Sequence, residues 1–293
     1  MKLSKKTEAA LAANQALTPE EIFKAAKLGR CETFTDEMFL MRDEHWKTPF
    51  HYLAKYGHVQ KIPAHLLTLE NLQTLKDQPR RWSPLDYAAS FGHLGALLER
   101  LPANIKSQAV TLNAMRLAFD AGFGKQIPKE NLTVAEVTAL GKNETSLLHS
   151  AAASGDLDLL PRAALTERHM THMSSFMKRS PLHLALAAGH AEQIPTELLT
   201  PKVFLTSRNQ GLSVLREMHM GYHLSDVPGN VLSDPTALRT LATFPGLTPT
   251  QREIYNIPDT PKTPPPSQFG MAAFMARKKA DTAVQPPSTL ELQ

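Results

Sequence analysis

Ser180-Pro181-Leu182-His183-Leu184-Ala185-Leu186-Ala187-Ala188-Gly189-His190 is the stretch that decides the fold. A hydroxyl residue, a proline, an apolar run and a glycine describe one short helix with an N-cap, a first-turn proline and a left-handed C-cap. The opening of that helix recurs at Thr48-Pro49-Phe50-His51, Ser83-Pro84-Leu85-Asp86, Ser146-Leu147-Leu148-His149 and Ser213-Val214-Leu215-Arg216, and more weakly at Asn113-Ala114-Met115-Arg116. The fourth positions fall at 51, 86, 116, 149, 183 and 216, so the spacings are 35, 30, 33, 34 and 33. A period of that length marks a helical repeat.

Glycine follows six residues after the fourth position at Gly57, Gly92, Gly122, Gly155 and Gly189, and is shifted to Gly221 in the last copy. The small residues Ala54, Ala88, Ala89, Ala118, Ala151, Ala152 and Ala185 let neighbouring helices approach closely. After each glycine comes a second element, as in Gly57-His58-Val59-Gln60-Lys61-Ile62-Pro63, which a proline ends after little more than one turn. Pro128, Pro161, Pro195 and Pro228 act likewise. A third helix opens at Thr35, Thr68, Thr133, Thr166, Thr200 and Ser233, with one copy missing from the series. Thr133 with Glu136 spells a capping box, and Thr18-Pro19 and Thr200-Pro201 put proline in the first turn.

Ser180-Pro181-Leu182-His183-Leu184-Ala185, followed by Gly189-His190, resembles the ankyrin repeat family, whose signature is Thr-Pro-Leu-His-x-Ala. The likeness covers roughly residues 18–255. Two features depart from the family: only Gly211 matches the glycine usual before the threonine, and Ile-Pro-x-x-Leu-Leu-Thr replaces the usual ending of the repeat. The resemblance implies an all-α helical-repeat solenoid of about seven units, the first a partial cap from Thr18 to Gly29. Residues 1–17 form an N-terminal extension, and residues 256–293, with Pro261, Pro264, Pro265, Pro266, Pro286 and Pro287, read as a disordered tail that cannot build a core. Its one apolar island, Phe269 to Lys279, has the form of a short docking motif, and a solvated tail explains it as well.

Composition narrows the function. Against 28 acidic residues stand 32 basic ones, a net charge of +4 over 293 residues, which is a mild excess and not a nucleic-acid-binding stripe. A single cysteine, Cys31, excludes an internal disulfide framework and fits a reducing compartment, so a cytoplasmic location is expected. No apolar run reaches the length of a membrane span. There is no lysine-bearing phosphate loop and no dinucleotide fingerprint, and Cys31 has no histidine near it in sequence, so no catalytic residue, metal or cofactor is expected.

Seven of the twelve histidines occupy repeat positions: His51, His149 and His183 at the fourth position, and His58, His93, His190 and His223 after the glycine. In the ankyrin family such histidines join loops to helices, so the resemblance gives them a structural role. His169-Met170-Thr171-His172-Met173 and Met218-His219-Met220 combine ligands for a soft ion, although methionine at helical spacing usually fills core.

Basic residues gather in the turns before each first helix: Lys47, Arg80-Arg81, Lys142, Lys178-Arg179 and Arg208. In ankyrin stacks these turns are fingers beside a concave groove, and the groove-facing positions are the turn before the hydroxyl residue and the pair before the glycine. Carried onto this chain, they are Trp46, Lys47, Lys55 and Tyr56 in one unit and Arg81, Trp82, Ser90 and Phe91 in the next. The corresponding places in later units hold Asp120-Ala121, Ala153-Ser154 and Ala187-Ala188, which offer little contact area. The expected role is a monomeric interaction module that holds a protein partner with an apolar anchor and an acidic rim. Nucleic acid bound through the basic fingers is the alternative.

Overall fold

A first-turn proline fixes φ near its helical value and gives up an amide hydrogen that the helix does not use, so helices begin where the sequence places these prolines. The computed structural model describes residues 3–12, 17–73, 76–141, 143–205, 207–208, 212–213, 215, 227–244, 246–254 and 256–257. Helix α1 (Lys5–Ala12) precedes the first proline-led helix, α2 (Pro19–Lys27). There follow α3 (Asp36–Leu40), α4 (Pro49–Lys55), α5 (Leu69–Gln73), α6 (Pro84–Ser90), α7 (Leu94–Glu99), α8 (Ala103–Ala109), α9 (Leu112–Asp120) and α10 (Val134–Thr138). The series continues with α11 (Leu147–Ser154), α12 (Glu167–Met170), α13 (Pro181–Ala187), α14 (Pro201–Leu205) and α15 (Gly229–Leu232). The chain divides into two parts, residues 1–231 and 232–293. In the second, α16 (Pro235–Ala242) is capped by Asp234 and α17 (Pro249–Ile254) follows. The architecture is helical; the strand pairing among the described residues is a two-residue antiparallel ladder, Ser207–Arg208 with Leu212–Ser213.

In the first part the major helices contact one another in sequence order: α2 with α4, α4 with α6, α6 with α9, α9 with α11, and α11 with α13. None exceeds nine residues, too short to be stable alone in water, so each depends on burial against its neighbours. The seven alanines read as close-approach positions are all fully buried. Within the extension before residue 18, Lys5–Ala12 forms α1, whose buried Thr7 donates a hydrogen bond to Glu21 Oε1 at 2.9 Å.

Between major helices the second element is a single 3-10 turn, as at Val59–Lys61, Gly124–Gln126, Leu157–Leu159 and Ala191–Gln193. The proline after each starts another 3-10 turn, and Thr35, Thr133 and Thr166 then cap α3, α10 and α12. Thr133 accepts from the Glu136 N–H at 3.2 Å, which is one half of the expected capping box. The missing copy of the third helix has a structural counterpart. Between residues 93 and 111 the 3-10 turns and the loop give way to α7 and α8, which lead directly into α9 and account for the short 30-residue spacing. The Ile-Pro stretches also have a use. Gln126 and Gln193, each just before an Ile-Pro pair, donate to the carbonyls of Gly92 and Gly155 at 2.8 and 2.6 Å, and accept from the Gly95 and Leu157 amides.

The fourth-position side chains work twice. Thr48 N–H donates to His51 Nδ1 at 2.9 Å, so the neutral ring carries its proton on Nε2, which donates to the Trp82 carbonyl of the next loop at 3.2 Å. Asp86 replaces histidine in the next copy, accepting from Ser83 N–H at 2.8 Å and from Asn113 Nδ2 at 2.8 Å. His149 accepts from Ser146 N–H at 3.1 Å, and its buried Nε2 has no hydrogen-bond partner among the described residues. Burial, reinforced by His172 with its ring centroid 6.4 Å away, pushes the His149 pKa down to about 4.

The glycines at 29, 57, 92, 122, 155 and 189 all have left-handed φ, between 68° and 81°. At Gly155 a Cβ would also lie 2.6 Å from the His190 ring of the next copy, whereas at Gly122 it would meet nothing within 4 Å. Gly155→Ala is therefore expected to lower the melting temperature clearly more than Gly122→Ala, which bears only the left-handed strain of about 1 kcal/mol. Equal losses at the two positions would contradict the ring-on-glycine contact.

His149 provides a test in pH. An unfolded histidine takes a proton near pH 6.5 while the folded one resists until about 4, so the unfolded state holds more protons in that window and stability falls as pH drops through it. Denaturant titrations at a series of pH values should show a loss on the order of 3 kcal/mol that is absent from His149→Gln. Parallel profiles for the two proteins would remove His149 as the cause.

Candidate functional site

The turn before α4 is closed by the Asp43 N–H donating to the Lys47 carbonyl at 2.9 Å, and the turn before α6 by the Asp77 N–H donating to the Trp82 carbonyl at 2.9 Å. Each aspartate then turns its carboxylate back on the loop. Asp43 accepts from the His45 and Lys47 amides and from the Tyr52 hydroxyl, at 2.9, 2.8 and 2.5 Å. Asp77, almost wholly buried, accepts from the Trp82 amide and the Tyr87 hydroxyl, both at 2.7 Å. The two loops are tied together by Gln78 N–H, which donates to the His45 carbonyl at 2.8 Å. Burial comes first and the paired carboxylate second in pushing the Tyr52 and Tyr87 hydroxyls well above the ordinary phenol range. Both therefore stay donors at neutral pH.

Two residues before the N-caps of α4, α6, α11 and α13 the backbone is left-handed without glycine: Trp46, Arg81, Glu144 and Lys178 have φ between 54° and 62°. That conformation sends Trp46 outward, 53 % exposed, with the Arg42 guanidinium 5.0 Å over its ring. Arg81 is exposed in the equivalent place.

The remaining expected residues gather about a side chain that the sequence reading did not select. Tyr87 on α6 has the Trp82 ring edge-on at 5.3 Å and the Phe91 ring stacked at 6.1 Å, and Lys47 Nζ lies 6.0 Å from its centroid. Lys55, the last residue of α4, holds its ammonium 5.3 Å from the Tyr56 ring and 5.1 Å from the Phe91 ring, so one cation joins rings from two successive helices. Tyr56 and Phe91 are 44 % and 38 % exposed, and Ser90 is half-buried beside Phe91. Trp82 is half-buried, with Arg80 5.0 Å over its ring. The structure thus brings together Lys47, Lys55, Tyr56, Trp82, Ser90 and Phe91, while Trp46 stands apart at a loop tip with Arg42. Tyr52 repeats the pattern one helix earlier, with Phe23 at 6.0 Å and Lys27 Nζ at 4.7 Å. The signal for Tyr52 and Tyr87 was available: both lie four residues after an N-cap, and each is preceded by an aspartate at the start of the turn.

Other chemistry is sparse. Among the described residues no group of three or more His, Cys, Asp and Glu could hold a metal ion. His169 Nδ1 bonds the Ala164 carbonyl at 3.1 Å and Met170 is fully buried, while Met218-His219-Met220 and His223 lie outside the described residues. Cys31 is buried and its thiol is pushed up to about 12, by burial first and Glu32 second, so it is protonated at neutral pH. No described helix is long and apolar enough to cross a membrane. Asn256 and Ile257, at the expected start of the tail, are described, and Ile257 is buried with its N–H on the Arg252 carbonyl at 2.8 Å; residues 258–293 and Lys142 lie outside the described set.

The tyrosine clamps make a prediction. A phenol raised by folding contributes its full stability below the unfolded value near 10 and loses it as pH climbs through the folded value, so ultraviolet titration should find two of the five tyrosines protonated beyond about pH 11. Tyr87→Phe should destabilise the chain by about 1–2 kcal/mol, because it leaves Asp77 buried with one donor fewer. Five tyrosines ionising together while the chain is still folded would contradict both clamps.

Comparison with protein-family models and with curated proteins finds no match to this chain.

Proposed function

We propose that the chain is an ankyrin-like repeat solenoid that acts as a non-enzymatic interaction module, and that the face formed by Lys47, Lys55, Tyr56, Trp82, Tyr87 and Phe91, with Trp46 at its rim, holds a protein partner. The regular order of helix contacts from α2 to α13 and the left-handed glycine after each major helix support the repeat reading. The observation that carries the functional reading is Lys55 between Tyr56 and Phe91: rings from consecutive copies, each more than a third exposed, share one cation on a rigid two-helix platform. Tyrosine, tryptophan and cations on such a platform are the groups that dominate protein interfaces.

The alternative partner, nucleic acid at the basic turns, is less well supported. A base would stack on an open tryptophan face, and Arg42 and Arg80 already lie over Trp46 and Trp82.

Affinity capture with the full chain as bait, followed by the same capture with single variants, tests the reading. Wild type and Ala187→Ser are expected to retain the same partner, and Trp46→Ala and Phe91→Ala to lose about 2 kcal/mol or more of binding with melting temperatures unchanged. Retention by all four proteins, or losses that track unfolding, would contradict it.

A further inference from the structure

Positive charge is distributed unevenly with respect to its partners. Lys61, Arg162 and Lys202, on the 3-10 turns and third helices, each pair with a glutamate of an adjacent copy, at 2.8 to 3.0 Å. Lys27, Lys47 and Lys55 have no carboxylate within ion-pair distance among the described residues and lie instead over the rings of Tyr52, Tyr87, Tyr56 and Phe91. Arg42, Arg80 and Arg81, in the adjoining turns, are likewise without a carboxylate partner among the described residues. The two aspartates of those turns are engaged with amide and phenol hydrogens, and Glu44 is 85 % exposed with His45 as its neighbour at 3.6 Å.

A ring face attracts an ammonium by about 0.5–1 kcal/mol at exposed sites, but it neutralises no charge, and each ammonium has three hydrogens to give. All three lysines are half-buried, so their stems are already held by packing and less side-chain entropy remains to be lost on binding. Lys27 and Lys55 end the neighbouring helices α2 and α4. Packed helices lie about 8–10 Å apart, and an extended chain advances about 3.3 Å per residue, so carboxylates three residues apart would match them. The series of cations stops at α6, where the equivalent residue is Ser90, and α9 carries the exposed acid Asp120 in the same place. Between the cations, Tyr56 and Phe91 present the apolar surface.

On the reading that this face binds protein, we infer that its occupant is an extended acidic segment, with carboxylates about three residues apart and one aromatic or large apolar side chain seated between Tyr56 and Phe91. The acidic charges meet Lys27, Lys55 and Lys47, and repulsion from the exposed Asp120 limits how far along the helices they extend.

The test is selection of random dodecapeptides displayed on phage against the full chain, with counter-selection on Phe91→Ala. Enriched peptides are expected to carry a net charge of about −3 or lower and an aromatic residue, and to bind at least about tenfold more weakly when salt rises from about 50 to about 300 mM. Lys55→Glu and Lys47→Glu should each weaken them by about tenfold with melting unchanged. Enriched peptides that are neutral or basic yet still need Phe91 would overturn this inference and leave the protein-binding face standing. Absence of any sequence enriched over Phe91→Ala would overturn both, and displacement of the acidic peptides by a short oligothymidine at lower concentration would overturn the choice of polypeptide.

Discussion

A buried side chain that caps its own helix, His51 in α4, Asp86 in α6 and His149 in α11, holds the rest of this helical array in place. His51, Asp86 and His149 accept the backbone amide at the start of their own helix, and two of them also reach the following copy, His51 to the Trp82 carbonyl and Asp86 to Asn113. A helix of seven to nine residues has little stability of its own, so a contact that caps it and couples it to a neighbour sets both its existence and its register. The same bond to Trp82 fixes the turn that carries Arg80 and Arg81, which is how a packing residue comes to position the exposed face.

That face is built by the same means. Asp43 and Asp77 open the turns, Tyr52 and Tyr87 close them onto α4 and α6, and the rings so fixed receive the lysines and Phe91. The clamps occur in two successive copies. Where α11 and α13 carry Ser150 and Leu184 at the tyrosine position, the turns are still closed by Gly141 and Ser174 amides donating to Thr145 and Arg179 carbonyls, but no tyrosine holds them. Sequence-level regularity therefore specifies the scaffold, and departures from it specify the exposed aromatic face.

The helices were legible because their signals are local: Pro49, Pro84 and Pro181 begin them, Gly57, Gly92 and Gly189 end them, and the period repeats both. What α7 and α8 would do was not legible. Leu94 to Leu101 lacks the Ile-Pro stop after one turn, and the copy missing from the threonine series is a rearranged connection. The exposed face was read in part. Lys55, Tyr56, Trp82 and Phe91 follow from their places in the repeat, whereas Tyr87 lies on a stretch of α6 otherwise occupied by core, so its spacing from Ser83 and Asp77 gains meaning only through the hydroxyl bond to Asp77 that turns its ring into a platform. Trp46 looked like a member of the cluster by register, but a left-handed φ of 62° directs it to the loop tip beside Arg42.

In the proposed function the α4 and α6 copies, with their turns, form the contact surface. Hydrogen–deuterium exchange of the chain alone and with its captured partner tests this most directly, since amide protection reports the segments that a partner covers or steadies. Protection gained in residues 42–56 and 77–91, with little change across residues 147–205, is the predicted result. Protection confined to residues 147–205, with 42–56 and 77–91 exchanging as in the free chain, would contradict it.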